Sequence, residues 1–123
     1  MRAGSIVRVN WRDALAKSGE PNKMGRPGVV VSAPPTFGGE LAYELVVPLT
    51  SDVEFALPGS SVLIDPTPEN GATASSFALA WNVQAVPHER IRKTPAFVND
   101  AQLREIREQI AACIGIVVKS APE

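Results

Sequence analysis

Two short stretches carry the residues best suited to chemistry. Gly25-Arg26-Pro27 sets an arginine at the mouth of the run Val29-Val30-Val31, and Leu49-Thr50-Ser51 ends a second apolar run with two hydroxyls. One guanidinium and one hydroxyl converging on a phosphate suit a reaction in which the substrate supplies its own nucleophile, as RNA does with its 2′-hydroxyl. No metal is required for such a reaction. A guanidinium keeps its proton across the ordinary pH range, so Arg26 is assigned oxyanion stabilisation and proton donation, and the general base is left open. Other groups read differently. His88, the sole imidazole, has the chemistry of a base but reads as a turn residue, and the acids Asp52 and Glu54 read as a solvated loop rather than a hydrolytic pair. Trp11 and Trp81 could stack on bases, yet large aromatics in a small β-rich chain more often fill a core or a dimer interface.

For Arg26 and Thr50 to act together, the chain must bring them to one place. The residue before a proline is driven out of the helical region, so Pro27 holds Arg26 extended, and Gly25 admits an unusual direction of approach. Gly28–Ser32 and Tyr43–Leu49 are β-branched or apolar runs fit for strands. If they pair antiparallel and fold back near Gly38, Arg26 falls opposite Thr50, with side chains roughly 5 Å apart at Cβ.

The remaining elements follow from pattern. Ile6–Asn10 alternates apolar and polar with the two-residue period of a half-buried strand, and Trp11–Gly25 reads as a long loop. Ser61–Ile64, Ser76–Ala80 and Val83–Val86 are shorter strands. Leu103, Ile106, Ile110, Cys113 and Val117 recur at helical spacing, with Asn99 or Asp100 as cap and Gly115 as exit. On that face Cys113 reads as a small buried hydrophobe. These elements predict a mainly β, β-rich α+β fold, in which a small, strongly bent antiparallel sheet or partial barrel packs against a C-terminal helix.

The 123 residues fit a single domain spanning 1–123, with no internal repeat. The longest apolar run, Ile110–Val118, is too short to span a membrane and no signal segment precedes the first strand, so a cytoplasmic protein without membrane association is expected. One cysteine and one histidine exclude an internal disulfide framework and a zinc site, so no metal or other cofactor is expected. The net charge of -1 conceals an uneven distribution. Residues 1–26 hold six cations against two acids, residues 27–89 hold seven acids and no Lys or Arg, and residues 90–123 hold six cations against four acids. Basic ends of this kind can recruit a polyanion despite a near-neutral total.

The chain resembles the MazF/PemK toxins of type II toxin-antitoxin pairs through four landmarks: Gly4-Ser5-Ile6-Val7-Arg8-Val9, Gly25-Arg26-Pro27-Gly28-Val29-Val30-Val31-Ser32, Val47-Pro48-Leu49-Thr50-Ser51, and Val86-Pro87-His88-Glu89-Arg90-Ile91. Each is short, but their order and spacing are specific together. The resemblance implies an SH3-like sheet with a C-terminal helix and a homodimer. It further implies a metal-independent endoribonuclease that cuts single-stranded RNA, leaves a cyclic phosphate and is blocked by a cognate antitoxin, in a complex that binds DNA. By motif, the catalytic arginine and hydroxyl fall on Arg26 and Thr50, and RNA contacts fall on Ser51, Glu20, Phe55 and Asn82. There are departures from the pattern. The loop before Arg26 is longer than usual, Glu20-Pro21 stands where Glu-Gln is typical, and Asn82 stands where glutamine is frequent, with Gln84 two residues on. The acid and arginine of the PemK branch are absent from Leu79-Ala80-Trp81-Asn82. Two alternatives share the fold. One is a CcdB-like gyrase inhibitor, against which the lack of a tryptophan before Ile114-Gly115-Ile116 counts; the other is a catalytically inert antitoxin-binding module.

Overall fold

A computed structural model describes residues 2–11, 25–33, 42–57 and 59–118. Its strands are β1 (Ser5–Val9), β2 (Arg26–Val30), β3 (Tyr43–Thr50), β4 (Val62–Ile64), β5 (Ser76–Ala78), β6 (Gln84–Pro87) and β7 (Ile91–Phe97), followed by helix α1 (Asp100–Cys113). Every pairing among them is antiparallel, in the order β4-β5-β3-β2-β1-β7, and the sheet does not close into a barrel. Along one edge β3 changes partner, pairing with β6 over Tyr43–Val46 and with β5 at Leu49 and Thr50. The expected bent sheet with one terminal helix is therefore the observed architecture.

The valine runs are continuous rather than alternating because the centre of the sheet is covered on both faces. On one side Ile6, Val29, Val31, Val47, Val62 and Ile64 pack with Val98 and with Ile106 of α1. On the other, Val7, Val9, Trp11, Val30, Val46 and Val86 form a second cluster, against which Ile91 packs. Gly28 makes the second cluster possible. A Cβ there would lie 2.7 Å from Val46 Cγ1 and 3.0 Å from Trp11 Cζ2, so the indole lies where a larger residue's side chain would have to go. Trp11 thus belongs to the core, while Trp81 is about one-third exposed.

Helix α1 begins at a reciprocal cap. The Gln102 amide donates to Asn99 Oδ1 (2.8 Å), and the Asn99 amide donates to Gln102 Oε1 (3.0 Å), satisfying two N–H groups that the first turn would otherwise leave unpaired. Ile106 is fully buried and Leu103 and Ile110 partly so. Gly115, at φ +85°, turns the chain out of the helix. Two expectations fail here. Cys113 is exposed, and Val117 lies past the helix end and is 85% exposed, because α1 stops one turn sooner than the apolar spacing implied. The other difference is β7, a strand in a segment without the expected alternation. It lies at the end of the sheet order, where the side left unpaired among the described residues tolerates Pro95 and where the exposed Arg92 and Lys93 put charge on the edge. No helix among the described residues is long and apolar enough to cross a membrane.

Gly28→Ala is expected to cost about 1–3 kcal/mol through overpacking against Val46 and Trp11, read as a lowered urea midpoint; an unchanged midpoint would show that the cluster yields freely. Asn99→Ala should cost about 1 kcal/mol by removing the cap, with the loss of helical ellipticity appearing at lower temperature than in the parent.

Candidate functional site

The site is organised by the register between β2 and β3. Gly28 faces Pro48, Val29 faces Val47 and Val30 faces Val46; the paired ladder ends there, and the same register carried on by two residues would set Arg26 opposite Thr50. On its other side Arg26 is the partner of Val9 in β1. Arg26 is half-buried at the first position of β2. The backbone leading to it is constrained: Gly25 has φ +74°, and a Cβ on it would lie 3.2 Å from Arg8 Cβ and 3.3 Å from the Val9 amide nitrogen. Only glycine fits both requirements comfortably. Arg8 secures the same turn by donating from Nη2 to the Gly25 carbonyl at 3.0 Å.

Beyond β3 the chain makes a tight polar turn. The Asp52 amide donates to Thr50 Oγ1 (3.0 Å) and the Glu54 amide to Asp52 Oδ1 (3.0 Å), which starts a single 3-10 turn at Val53–Phe55. Asp52 is thus occupied as a cap, in keeping with setting the Asp52 and Glu54 pair aside. Ser51 is exposed. A second 3-10 turn, Ala80–Asn82, lies against the first: Trp81 Nε1 donates to the Phe55 carbonyl at 3.1 Å, and the Leu79 amide donates to the Pro48 carbonyl at 2.9 Å. Asn82 Oδ1 accepts from Gln84 Nε2 at 2.9 Å, joining the two amides that sequence comparison had set side by side. Thr50, Ser51, Phe55 and Asn82 therefore gather around the end of β3. Glu20 lies outside the described residues.

A cleft of about 460 Å³ opens beside Thr50 and Ser51. Its floor includes Ile6, Leu49 and Ile64, and one wall is the segment from Asn70 to Ser76. Among the described residues the cation lining it is Arg8, and Arg26 is not among the described lining residues. Strand alternation explains the difference, since Arg8 pairs with Pro27 on the face of Ile6 and Arg26 pairs with Val9 on the face of Val7. Thr50 lines the cleft and pairs with Phe77 of β5. Neither Arg8 nor the 70–76 wall was singled out from sequence. Arg8 was legible only as the polar member of an alternating strand, because the wall that makes it a cleft residue comes from more than sixty positions away.

Asn70 is 5% exposed, and its side chain bonds within the wall. Its Oδ1 accepts from the Thr67 and Ala72 amides (3.1 and 3.0 Å), and its Nδ2 donates to the Asp65 carbonyl (2.9 Å). Ser75 Oγ donates to Asp65 Oδ1 at 2.7 Å, and the Phe97 amide donates to the Glu69 carbonyl, tying the wall to β7. His88 sits elsewhere. Its neighbour Pro87 pairs with Tyr43, at the far end of β3, seven residues and roughly 20 Å from Thr50. There its amide donates to the Ala42 carbonyl and its carbonyl accepts the Ile91 amide, while Nε2 lies 3.8 Å from Glu44 Oε2. His88 is a turn residue. Among the described residues no cluster of His, Cys, Asp and Glu has the arrangement of a metal site.

Several solved structures share this fold. An endoribonuclease in complex with its cognate antitoxin, from a mycobacterial species, superposes with a TM-score of 0.70 at 17% identity, covering 97% of this chain and 99% of its own. MazF from Deinococcus radiodurans gives 0.69 at 20% identity over 94% and 97% of the two chains, and Mycobacterium tuberculosis toxin MazF-mt6 gives 0.67 at 18% identity over 91% and 97%. No curated protein matches the sequence significantly. The sequence profile of the PemK-like, MazF-like toxins of type II toxin-antitoxin systems matches residues 2–114, nearly the whole length described above, and the chain belongs to that family.

Proposed function

We propose that the protein is a metal-independent endoribonuclease acting on single-stranded RNA, with Arg26 and Thr50 as its catalytic pair. The observation that supports this reading is the β2 and β3 register, in which Gly28 faces Pro48 within a doubly buried strand pair, so that the same register continued by two residues would bring Arg26 and Thr50 together. In the reaction the RNA 2′-oxygen attacks the adjacent phosphorus as its proton passes to a water molecule, the bond from phosphorus to the 5′-oxygen breaks, and the proton that Arg26 gives to the leaving oxygen returns to it from solvent. The 5′-hydroxyl leaves with a proton and a 2′,3′-cyclic phosphate remains. Arg26 stabilises the charge that builds on the phosphorane oxygens and supplies the proton to the leaving oxygen. Thr50 orients the phosphate. Its Oγ1 already accepts the Asp52 amide, which aims the hydroxyl hydrogen away from that turn and leaves it to donate outward. Ser51, Phe55, Asn82 and Glu20 contact the RNA around the scissile step, Phe55 by stacking.

The mycobacterial and Deinococcus structures that share the fold include complexes of toxin with antitoxin. By analogy a cognate antitoxin restrains this protein, and the active form is a homodimer in the cytoplasm. Cleavage of cellular mRNA then stops translation and growth.

With purified protein and end-mapped single-stranded RNA, Arg26→Ala should lower cleavage by on the order of a hundredfold or more, the usual loss on removing one oxyanion donor. Thr50→Ala should do the same, and Thr50→Ser, which keeps both the hydroxyl and the turn, should restore most of it. Equal cleavage by the parent and both alanine variants, each still folded by circular dichroism, would refute the assignment.

A further inference from the structure

Arg8 holds the chain one residue ahead of Arg26. It pairs with Pro27 across β1 and β2, so Gly25, two residues before Pro27, is its diagonal neighbour, at a separation that a long side chain spans. Arg8 Nη2 donates to the Gly25 carbonyl at 3.0 Å. That oxygen belongs to the same planar peptide unit as the Arg26 amide, so a bond that holds the oxygen holds the plane from which the Arg26 Cα projects.

The two peptides that flank Arg26 differ in how they are constrained. On the far side Pro27 keeps Arg26 extended through the bulk of its own ring. On the near side stands Gly25 at φ +74°, a conformation that glycine leaves as readily as it enters. The turn therefore takes its orientation from its neighbours. Arg8 supplies two such contacts, the carbonyl bond and a stem whose Cβ lies 3.2 Å from where a Gly25 Cβ would stand.

We propose that Arg8 is a positioning residue, which fixes the peptide between Gly25 and Arg26 and so aims the Arg26 guanidinium at the scissile phosphate. The role rests on the ribonuclease reading, because the aim of Arg26 matters only if Arg26 acts on the phosphate. Arg8 does not share that task. Its side chain lies on the face of Ile6, whereas Arg26 lies on the face of Val7. A guanidinium that has lost its aim still attracts RNA but meets the phosphorane oxygens poorly, so the loss falls on rate rather than on substrate affinity.

The test is a double-mutant cycle on cleavage of end-mapped single-stranded RNA under single-turnover conditions. Arg8 is exposed, so Arg8→Met removes the donor and leaves the core untouched; Arg8→Gln, too short to reach the carbonyl, is a second variant of the same kind. Each should lower the maximal rate by about tenfold and leave the half-saturating RNA concentration as in the parent. Arg8→Lys, which keeps a donor on a long stem, should recover most of the rate. In an Arg26→Ala background Arg8→Met should cost nothing further, since its effect passes entirely through Arg26. The backbone amide resonance of Arg26 in a nitrogen-15 spectrum should move in Arg8→Met and return towards the parent position in Arg8→Lys. A parent-like maximal rate in Arg8→Met and Arg8→Gln, an equal loss in both backgrounds, or a change confined to the half-saturating concentration overturns the positioning role while leaving the ribonuclease reading intact. A parent whose cleavage is unaffected by Arg26→Ala overturns both.

Discussion

The structure depends on two adjacent strands that can turn neither face to water. Val29 and Val47 bury into the cluster beneath α1, while Val30 and Val46, their immediate neighbours in sequence, bury into the cluster around Trp11. A slip of one residue between β2 and β3 would exchange these two sets, and their cavities differ in shape. The side occupied by Trp11 would then lose the bare Cα of Gly28 on which the indole rests. Register is consequently fixed by packing on both sides at once. That fixed register runs to Gly28 and Pro48, two residues short of the half-buried Arg26 and Thr50.

Much of this was legible because it is encoded locally. The valine runs, the Pro27 constraint on Arg26 and the Asn99 cap are each short-range features, and each is present as expected. The hairpin arithmetic needed only a turn position and antiparallel pairing to give the observed register of Gly28 with Pro48. What escaped was non-local. β7 hides its strand character behind Pro95 and two cations because it needs to satisfy only one neighbour. Cys113 looked buried because helical spacing indicates which face is apolar but not where the helix stops. The cleft was invisible for a similar reason, being assembled from β1, the end of β3, the 70–76 wall and β7, which meet only in the folded chain.

Arg8 links these two kinds of information. Its stem packs where a Gly25 side chain would sit, its guanidinium holds the Gly25 carbonyl, and it also lines the cleft on the opposite face from Arg26. The approach to Arg26 and the lining of the neighbouring cleft are thus mechanically joined through one side chain. Thr50 makes a comparable join at the end of β3, where it pairs with Phe77 of β5 and borders the cleft.

Asn70 separates shape from surface in the cleft wall. The bonds that define the loop run from its buried side chain to backbone groups of Asp65, Thr67 and Ala72, and so do not depend on which side chains stand at Thr73 and Ala74. Both of those positions are exposed and border the cleft. Substitutions there can drift under selection for a different ligand at little cost to folding. A scaffold of this kind can diversify its recognition faster than its architecture, with one buried asparagine underwriting the exchange.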